Sequence, residues 1–269
     1  MLFRSHAQVL LDADDPAYFG PAVGITTSFV AAQPAVAAAF RSGEGVRFGD
    51  YGHRTRHGIG AINRAVFANG LPEWLANAGI AERLAAVEHP SIADVGCGTA
   101  WSTIQLAREL PTASVVGVDL DPTSVEDARA NVHNEGLSVR VAIRRGDAAE
   151  LEGGPFDLVT IFEMLHDSAD PVGVLAATRR CLAPGGVVLL ADEATAEAFG
   201  EARGDLNERF QYGCSVLHCL PATMAEGPVE ATGTVIRPSA IRRYAADAGF
   251  ASCEEVEVTP GFFRVYVLQ

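Results

Sequence analysis

The spacing of apolar and polar residues changes once along this chain of 269 residues, near residue 90. Before that point the apolar positions recur at helical intervals. Residues 29–40 are rich in Ala and Val and are broken by Pro34, whose ring and missing N–H interrupt a helix. Residues 58–69 put Ile59, Ile62, Val66 and Phe67 on one face, and residues 72–86 continue the pattern with Trp74, Leu75, Ile80 and Leu84. Residues 21–88 are therefore expected to form a helical cap. Residues 1–20, with a polar turn at 12–16, read as an N-terminal tail or truncated linker.

From residue 89 onward, strand and helix patterns alternate. Short apolar runs at 92–95, 114–120, 139–144, 156–162 and 187–191 predict strands. Helices are predicted between them at 99–110, 122–135 and 171–182, with a turn at Pro184-Gly185-Gly186. Runs this uniformly apolar suit a parallel sheet covered on both faces. Residues 193–236 interrupt the alternation as a lid-like insertion, with a helix at 207–219. A helix at 238–248 and strands at 253–258 and 262–268 close the chain; the turn at Pro260-Gly261 makes the last pair antiparallel. The predicted fold is α/β and doubly wound.

Composition narrows the function. Hydrophobic residues at 48% and charged residues at 20% describe a packed globular chain. The net charge of −14 repels phosphate backbones and disfavours nucleic acid as a partner. All 20 basic residues are arginine, which removes lysine chemistry. The five cysteines contain no CxxC pair, so neither a disulfide framework nor a metal site is expected, and a reducing cytoplasm fits. No apolar run is read as membrane-spanning and no signal peptide is recognised, so no membrane partner is expected.

The chemistry gathers at the predicted strand ends, where open α/β sheets bind ligands. Gly96-Cys97-Gly98 follows the first strand, and its glycines let backbone approach a ligand closely. Asp119 ends the second strand, placed to accept from ribose hydroxyls. Asp147, in Gly146-Asp147-Ala148 after the third strand, can reach an adenine amino group. Either aspartate alone could equally cap a turn. Counted as GxGxxG from Gly96, the third position is Trp101, whose bulk argues against a pyrophosphate.

The segments 94–99 (DVGCGT), 117–121 (GVDLD), 146–148 (GDA), 156–159 (FDLV) and 182–186 (LAPGG) follow the order of class I methyltransferase motifs. Over residues 89–269 the chain resembles the class I, Rossmann-like, S-adenosylmethionine-dependent methyltransferases. The resemblance implies a seven-stranded, mostly parallel sheet with one antiparallel strand, preceded here by the helical cap. It implies S-adenosylmethionine as cofactor, with Gly96 and Gly98 beside the methionine moiety, Asp119 on the ribose and Asp147 on the adenine amine. Asp94, Cys97, Leu120, Gly146 and Ala148 would be further cofactor contacts, and Phe162 and Glu163 would line the methyl-transfer side.

The segments 50–52, 163–167 and 212–221 are similar to those of a bacterial subfamily of uncharacterised methyltransferases. Its members usually carry an N-terminal winged-helix-like domain used for dimerisation. This chain reads as starting just after such a domain, so a homodimer is expected only where that domain is present.

Methyl transfer from a sulfonium is an in-line displacement that mainly needs alignment and a dry pocket. His166, after the fourth strand, is the candidate base, with Glu163 orienting cofactor or substrate. Tyr51 and Arg64 from the cap and His218 from the lid are candidate contacts to a small-molecule O, N or C acceptor. The fourth strand leads into Phe162-Glu163-Met164-Leu165, not into an Asn-Pro-Pro-Tyr type motif of nucleic-acid methylation. Two rival readings are an NAD(P)-dependent oxidoreductase, which Trp101 disfavours, and a non-catalytic S-adenosylmethionine-binding regulatory protein.

Overall fold

A computed structural model describes residues 4–198, 200, 206–259 and 261–269. Four helices precede the sheet: α1 (Arg4–Leu11), α2 (Ala22–Ser42), α3 (His53–Asn77) and α4 (Ile80–Ala85). Pro34 does not break α2 as predicted. Pro34 lies inside α2 and Pro72 inside α3. The carbonyls deprived of an i−4 partner belong to Val30 and Ala68, both exposed, where water can satisfy them. The real break falls at Gly79, whose φ of +66° ends the run of helical conformation. Contrary to the sequence reading, α2 is long and apolar enough by length and composition to cross a membrane. In the fold it lies against α3 and the lid and buries Phe29, Val36 and Ala39.

The sheet has seven strands: β1 (Ser91–Val95), β2 (Ser114–Asp119), β3 (Val141–Arg145), β4 (Phe156–Phe162), β5 (Leu182–Glu193), β6 (Cys253–Val256) and β7 (Phe263–Leu268). Their spatial order is β3-β2-β1-β4-β5-β7-β6. The first five are parallel, and β7 runs antiparallel to both its neighbours. β5 starts earlier than predicted. Leu182 already pairs with Phe156, and Pro184-Gly185-Gly186 forms an irregularity before Val187 takes up pairing with Leu158.

The remaining helices are α5 (Trp101–Glu109), α6 (Pro122–Asn134), α7 (Pro171–Arg180), α8 (Leu206–Cys214), α9 (Leu220–Met224) and α10 (Pro238–Asp247). Strand residues alternate between the two faces, which explains their continuous apolar character. Ile92, Leu158 and Leu189 pack with Leu71 and Trp74 of α3, Ile104 of α5 and Val125 of α6. Ala93, Val159 and Leu190 pack with Leu175 of α7 and Tyr244 of α10 on the other side. The winding reverses between β1 and β4, and the carboxyl ends of these two strands open into the main cavity.

Candidate active site

The loop from β1 to α5 is shaped by two close approaches. Gly96 has φ +71°, and a Cβ there would lie 2.2 Å from Met164 Cγ, so only glycine fits without displacement. Helix α3 crosses the same loop at Gly60, where a Cβ would lie 2.4 Å from Thr99 Oγ1. The Cβ position of Gly98, by contrast, has no atom within 4 Å.

Gly98 N–H donates to Asp119 Oδ2 at 2.7 Å, and Asp121 N–H donates to Asp119 Oδ1 at 2.9 Å. Burial holds the Asp119 carboxyl above its usual range, against the pull of these two amides. Each oxygen keeps a further lone pair. Asp94 stands behind the loop. Its Oδ2 accepts from Ser102 and Thr103 hydroxyls, both at 2.6 Å, and its Oδ1 from Thr160 at 2.7 Å. It ties β1 to α5 and β4, and burial raises its pKa.

A cavity of about 1010 Å³ begins at this loop. Gly96, Cys97, Gly98, Asp119, Leu120, Gly146, Asp147 and Ala148 form one wall. Phe162, Glu163, His166 and His218 stand farther along it. Burial raises the Cys97 thiol well above its usual value, so it is a neutral wall residue. Asp147 Oδ1 accepts from Ala149 N–H at 2.8 Å and caps a short turn at the cavity edge.

Three residues expected at a ligand do not line the cavity. Asp94 is buried behind the loop with its oxygens committed to hydroxyls. Tyr51 is packed in the cap, and its hydroxyl donates to the Leu217 carbonyl at 2.9 Å. Arg64 points away, its guanidinium 4.9 Å from the Trp101 ring centre. The neighbouring Asn63 turns inward instead and donates to Glu163 Oε2. Glu163 adopts φ +51°, a conformation unusual for a side-chain-bearing residue. Burial pushes its carboxyl up to about 7.

His166 sits in one helical turn after β4 (Leu165–Asp167) and is buried. Its Nδ1 lies 2.6 Å from Asp192 Oδ1 and 2.9 Å from Glu193 Oε2; its Nε2 lies 3.3 Å from Asp167 Oδ1. Burial by itself would lower the imidazole pKa, but Asp167, Glu193 and Asp192 outweigh it and hold it well above the usual value. Burial drives Glu193 well up, whereas the imidazolium and hydrogen bonds overcome burial at Asp192 and lower it. The two shifts run in opposite directions, which makes Asp192 the more acidic of the pair. Neither stood out in the sequence; the available signal was an acidic pair closing an otherwise apolar β5.

The lid runs from α8 through a π-helical turn (Ser215–Cys219) into α9. The predicted helix at 207–219 therefore changes winding at Ser215. Arg237, just before α10, anchors the lid by donating to Glu208 and to the Tyr212 hydroxyl. His218 lies in the π turn, and burial lowers its pKa to about 4, so the ring is neutral.

Among the described residues, two groups bring three ligand-type atoms within 4.8 Å of one another: His166, Asp167 and Cys219, and His166, Asp192 and Glu193. In the second group the imidazole hydrogen-bonds Asp192, while Glu193 Oε2 lies at ion-pair distance from the same nitrogen without a hydrogen bond.

The methyltransferase domain family matches residues 87–244, more than half of the chain. A ubiquinone biosynthesis O-methyltransferase from Methylococcus capsulatus is 32% identical over 152 residues, 54% of this chain and 59% of that protein. An O-methyltransferase family protein from Burkholderia thailandensis superposes with a TM-score of 0.72 at 20% identity, over 98% of this chain and 76% of that one. An O-methyltransferase from neocarzinostatin biosynthesis, solved with S-adenosylmethionine and 2-hydroxy-5-methyl naphthoic acid, gives 0.60 at 16% identity, over 99% and 73% of the two chains. At these identities the structural likeness is one of fold. The chain spans 30% to 59% of the length of curated relatives such as these.

Proposed function

This chain belongs to the methyltransferase domain family, and on that premise we propose that it transfers the methyl group of S-adenosylmethionine to a hydroxyl oxygen of a small, neutral aryl molecule. One observation carries the reading. A single cavity joins the Gly96–Gly98 loop and the Asp119 carboxylate to the carboxylate-flanked imidazole of His166.

The residues present fit the cofactor. The open backbone at Gly98 leaves room for the methionine end. The spare lone pairs of Asp119 suit ribose hydroxyls, which are donors. Leu120, 47% exposed at the cavity edge, offers an apolar face to adenine, and Asp147 an acceptor for its amine. Trp101 fills the place where a dinucleotide site needs a small residue. When bound, the cofactor supplies an electrophilic methyl group on a sulfonium. Acidic side chains along the wall, Asp119, Asp147, Glu163 and Asp167 among them, complement that positive charge.

His166 is the proton acceptor. Asp192 holds a proton on Nδ1, which directs the free lone pair of the neutral ring to Nε2. Nε2 takes the acceptor hydroxyl's proton as the oxygen attacks, and Asp192 stabilises the imidazolium that forms. Glu163, braced by Asn63, orients the groups at the carboxyl end of β4.

Beyond His166 the cavity is lined by Phe19, Phe29, Phe48, Phe210, Phe262 and Leu217. Of the three arginines that line the cavity, Arg47 pairs with Asp50 and Arg56 with Asp127, while Arg145 donates to the Leu120 carbonyl at the β2 end. Such a surface favours a flat aromatic ring. The net charge argues against a nucleic-acid acceptor, and five unpaired cysteines suit the cytoplasm.

The test is incubation with methyl-labelled S-adenosylmethionine and a panel of phenols, naphthols, amines and acids. Label should enter a hydroxyaryl product with the native protein and not with His166→Asn. Binding of S-adenosylhomocysteine without transfer to any acceptor would support the regulatory reading instead.

A further inference from the structure

His218 is gripped by aromatic rings on its apolar faces and edges. Its imidazole stacks on Phe29, with centroids 5.2 Å apart and planes 19° apart. Tyr51 meets it edge-on at 4.6 Å, and Phe48 at 5.5 Å. The Tyr51 hydroxyl, by bonding the Leu217 carbonyl, fixes that ring to the same turn of the lid. The imidazole therefore has little freedom to rotate. Its Nδ1 lies 3.4 Å from Cys219 Sγ, while Nε2 is buried with no hydrogen-bond partner in the protein.

A buried polar nitrogen with no partner costs about 1–3 kcal/mol unless something else satisfies it. Phenylalanine would fill the same aromatic slot without that cost. The residue is 2% exposed and lines the main cavity, which offers a route by which a partner could reach Nε2. Cys219 also stands close to His166, its Sγ within 4.8 Å of the His166 ligand atom. Both imidazoles and Cys219 line the same cavity. The turn that presents His218 is π-helical, a rare winding that often marks functional positions.

We propose that His218 is a specificity-determining residue: its Nε2 hydrogen-bonds a second oxygen on the aryl acceptor, apart from the hydroxyl that His166 deprotonates. This inference rests on the proposed function and extends it to the substitution pattern of the acceptor. A ring with one hydroxyl satisfies His166 alone; a ring with two oxygen substituents satisfies both imidazoles. The neutrality of His218 fits an uncharged hydroxyl or carbonyl rather than a carboxylate.

The experiment is calorimetric titration of the protein, saturated with S-adenosylhomocysteine, by 2-naphthol and by 2,3-, 2,6- and 2,7-dihydroxynaphthalene. At least one diol should bind about tenfold more tightly than 2-naphthol, the gain of one hydrogen bond. In His218→Phe that gain should vanish while 2-naphthol binding stays within about threefold; His218→Gln, which restores a polar tip, should recover part of it. Should His218→Phe fail to fold, imidazole 15N NMR of the native protein decides: the His218 nitrogen signals must move with the favoured diol and not with 2-naphthol. A diol advantage that survives His218→Phe, unmoved nitrogen signals, or no binding of any naphthalene to the saturated protein overturns the proposal. Failure to bind S-adenosylhomocysteine would instead overturn the proposed function beneath it.

Discussion

Replacing Asp94 tests how the glycine loop is held. The carboxylate is 1% exposed and accepts from Ser102, Thr103 and Thr160 at 2.6, 2.6 and 2.7 Å. In Asp94→Ala three hydroxyls lose their acceptor at once. Unsatisfied buried groups cost about 1–3 kcal/mol each. Two effects reduce the sum. Thr160 has the Ala93 carbonyl at 3.4 Å as a second acceptor, and the substitution also removes a carboxylate that burial disfavours. A net loss of about 3 kcal/mol follows, lowering Tm by about 6–12 °C for a chain of this size.

Asp94→Asn keeps one acceptor oxygen and carries no charge, so it should lose only about 1 kcal/mol. The pH dependence separates them further. The Asp94 pKa is raised in the fold, so the folded state takes up its proton before the unfolded chain does as the pH falls. The native protein should therefore gain stability relative to Asp94→Asn as pH drops from the folded pKa toward about 3.9, the unfolded value. Urea unfolding of the three proteins at pH 7 and pH 5 reads both effects. A loss below about 1 kcal/mol for Asp94→Ala, or equal losses for Ala and Asn, would refute the bracing role.

Gly96→Ala places a Cβ against Met164 and forces a left-handed conformation that costs an L-residue about 1–2 kcal/mol. Affinity for S-adenosylhomocysteine should fall by about tenfold or more, and Met164→Ala in the same chain should recover part of it, as a double-mutant cycle would show. Asp119→Ala removes the expected ribose contact and leaves the amides of Gly98 and Asp121 unpaired; calorimetry should find affinity reduced by about 30-fold or more. His166 must be neutral to act as base and its pKa is raised, so the methylation rate should climb as pH rises through that elevated pKa, above about 6.5. Removing a carboxylate with Asp192→Asn should shift the midpoint of the pH–rate profile downward. The stabilisation from protonated His166 has the opposite trend, present below about 6.5 and lost as pH rises through the folded pKa.

The sheet was legible because local signals and tertiary demands agreed. β1, β4 and the second half of β5 are buried on both faces, so their apolar runs leave little choice of structure. The Gly96–Gly98 loop and the acids ending β2 and following β3 carry their chemistry in fixed order, and the cavity wall contains them. Helix continuity through Pro34 and Pro72 was not legible, because it depends on where the orphaned carbonyls face. The same limit governs the cap. Asn63 and Arg64 are adjacent, and only the rotation of α3 decides that the first meets Glu163 while the second meets Trp101. Asp192 was hidden because its importance comes from His166, which lies 26 positions away in sequence.

Calorimetric titration of the purified chain with S-adenosylhomocysteine and, separately, with NADH distinguishes a methyltransferase site from a dinucleotide site. One saturable site for S-adenosylhomocysteine, weakened by Asp119→Ala, is expected, with no comparable binding of NADH. Tight NADH binding with no response to S-adenosylhomocysteine would contradict the methyltransferase site.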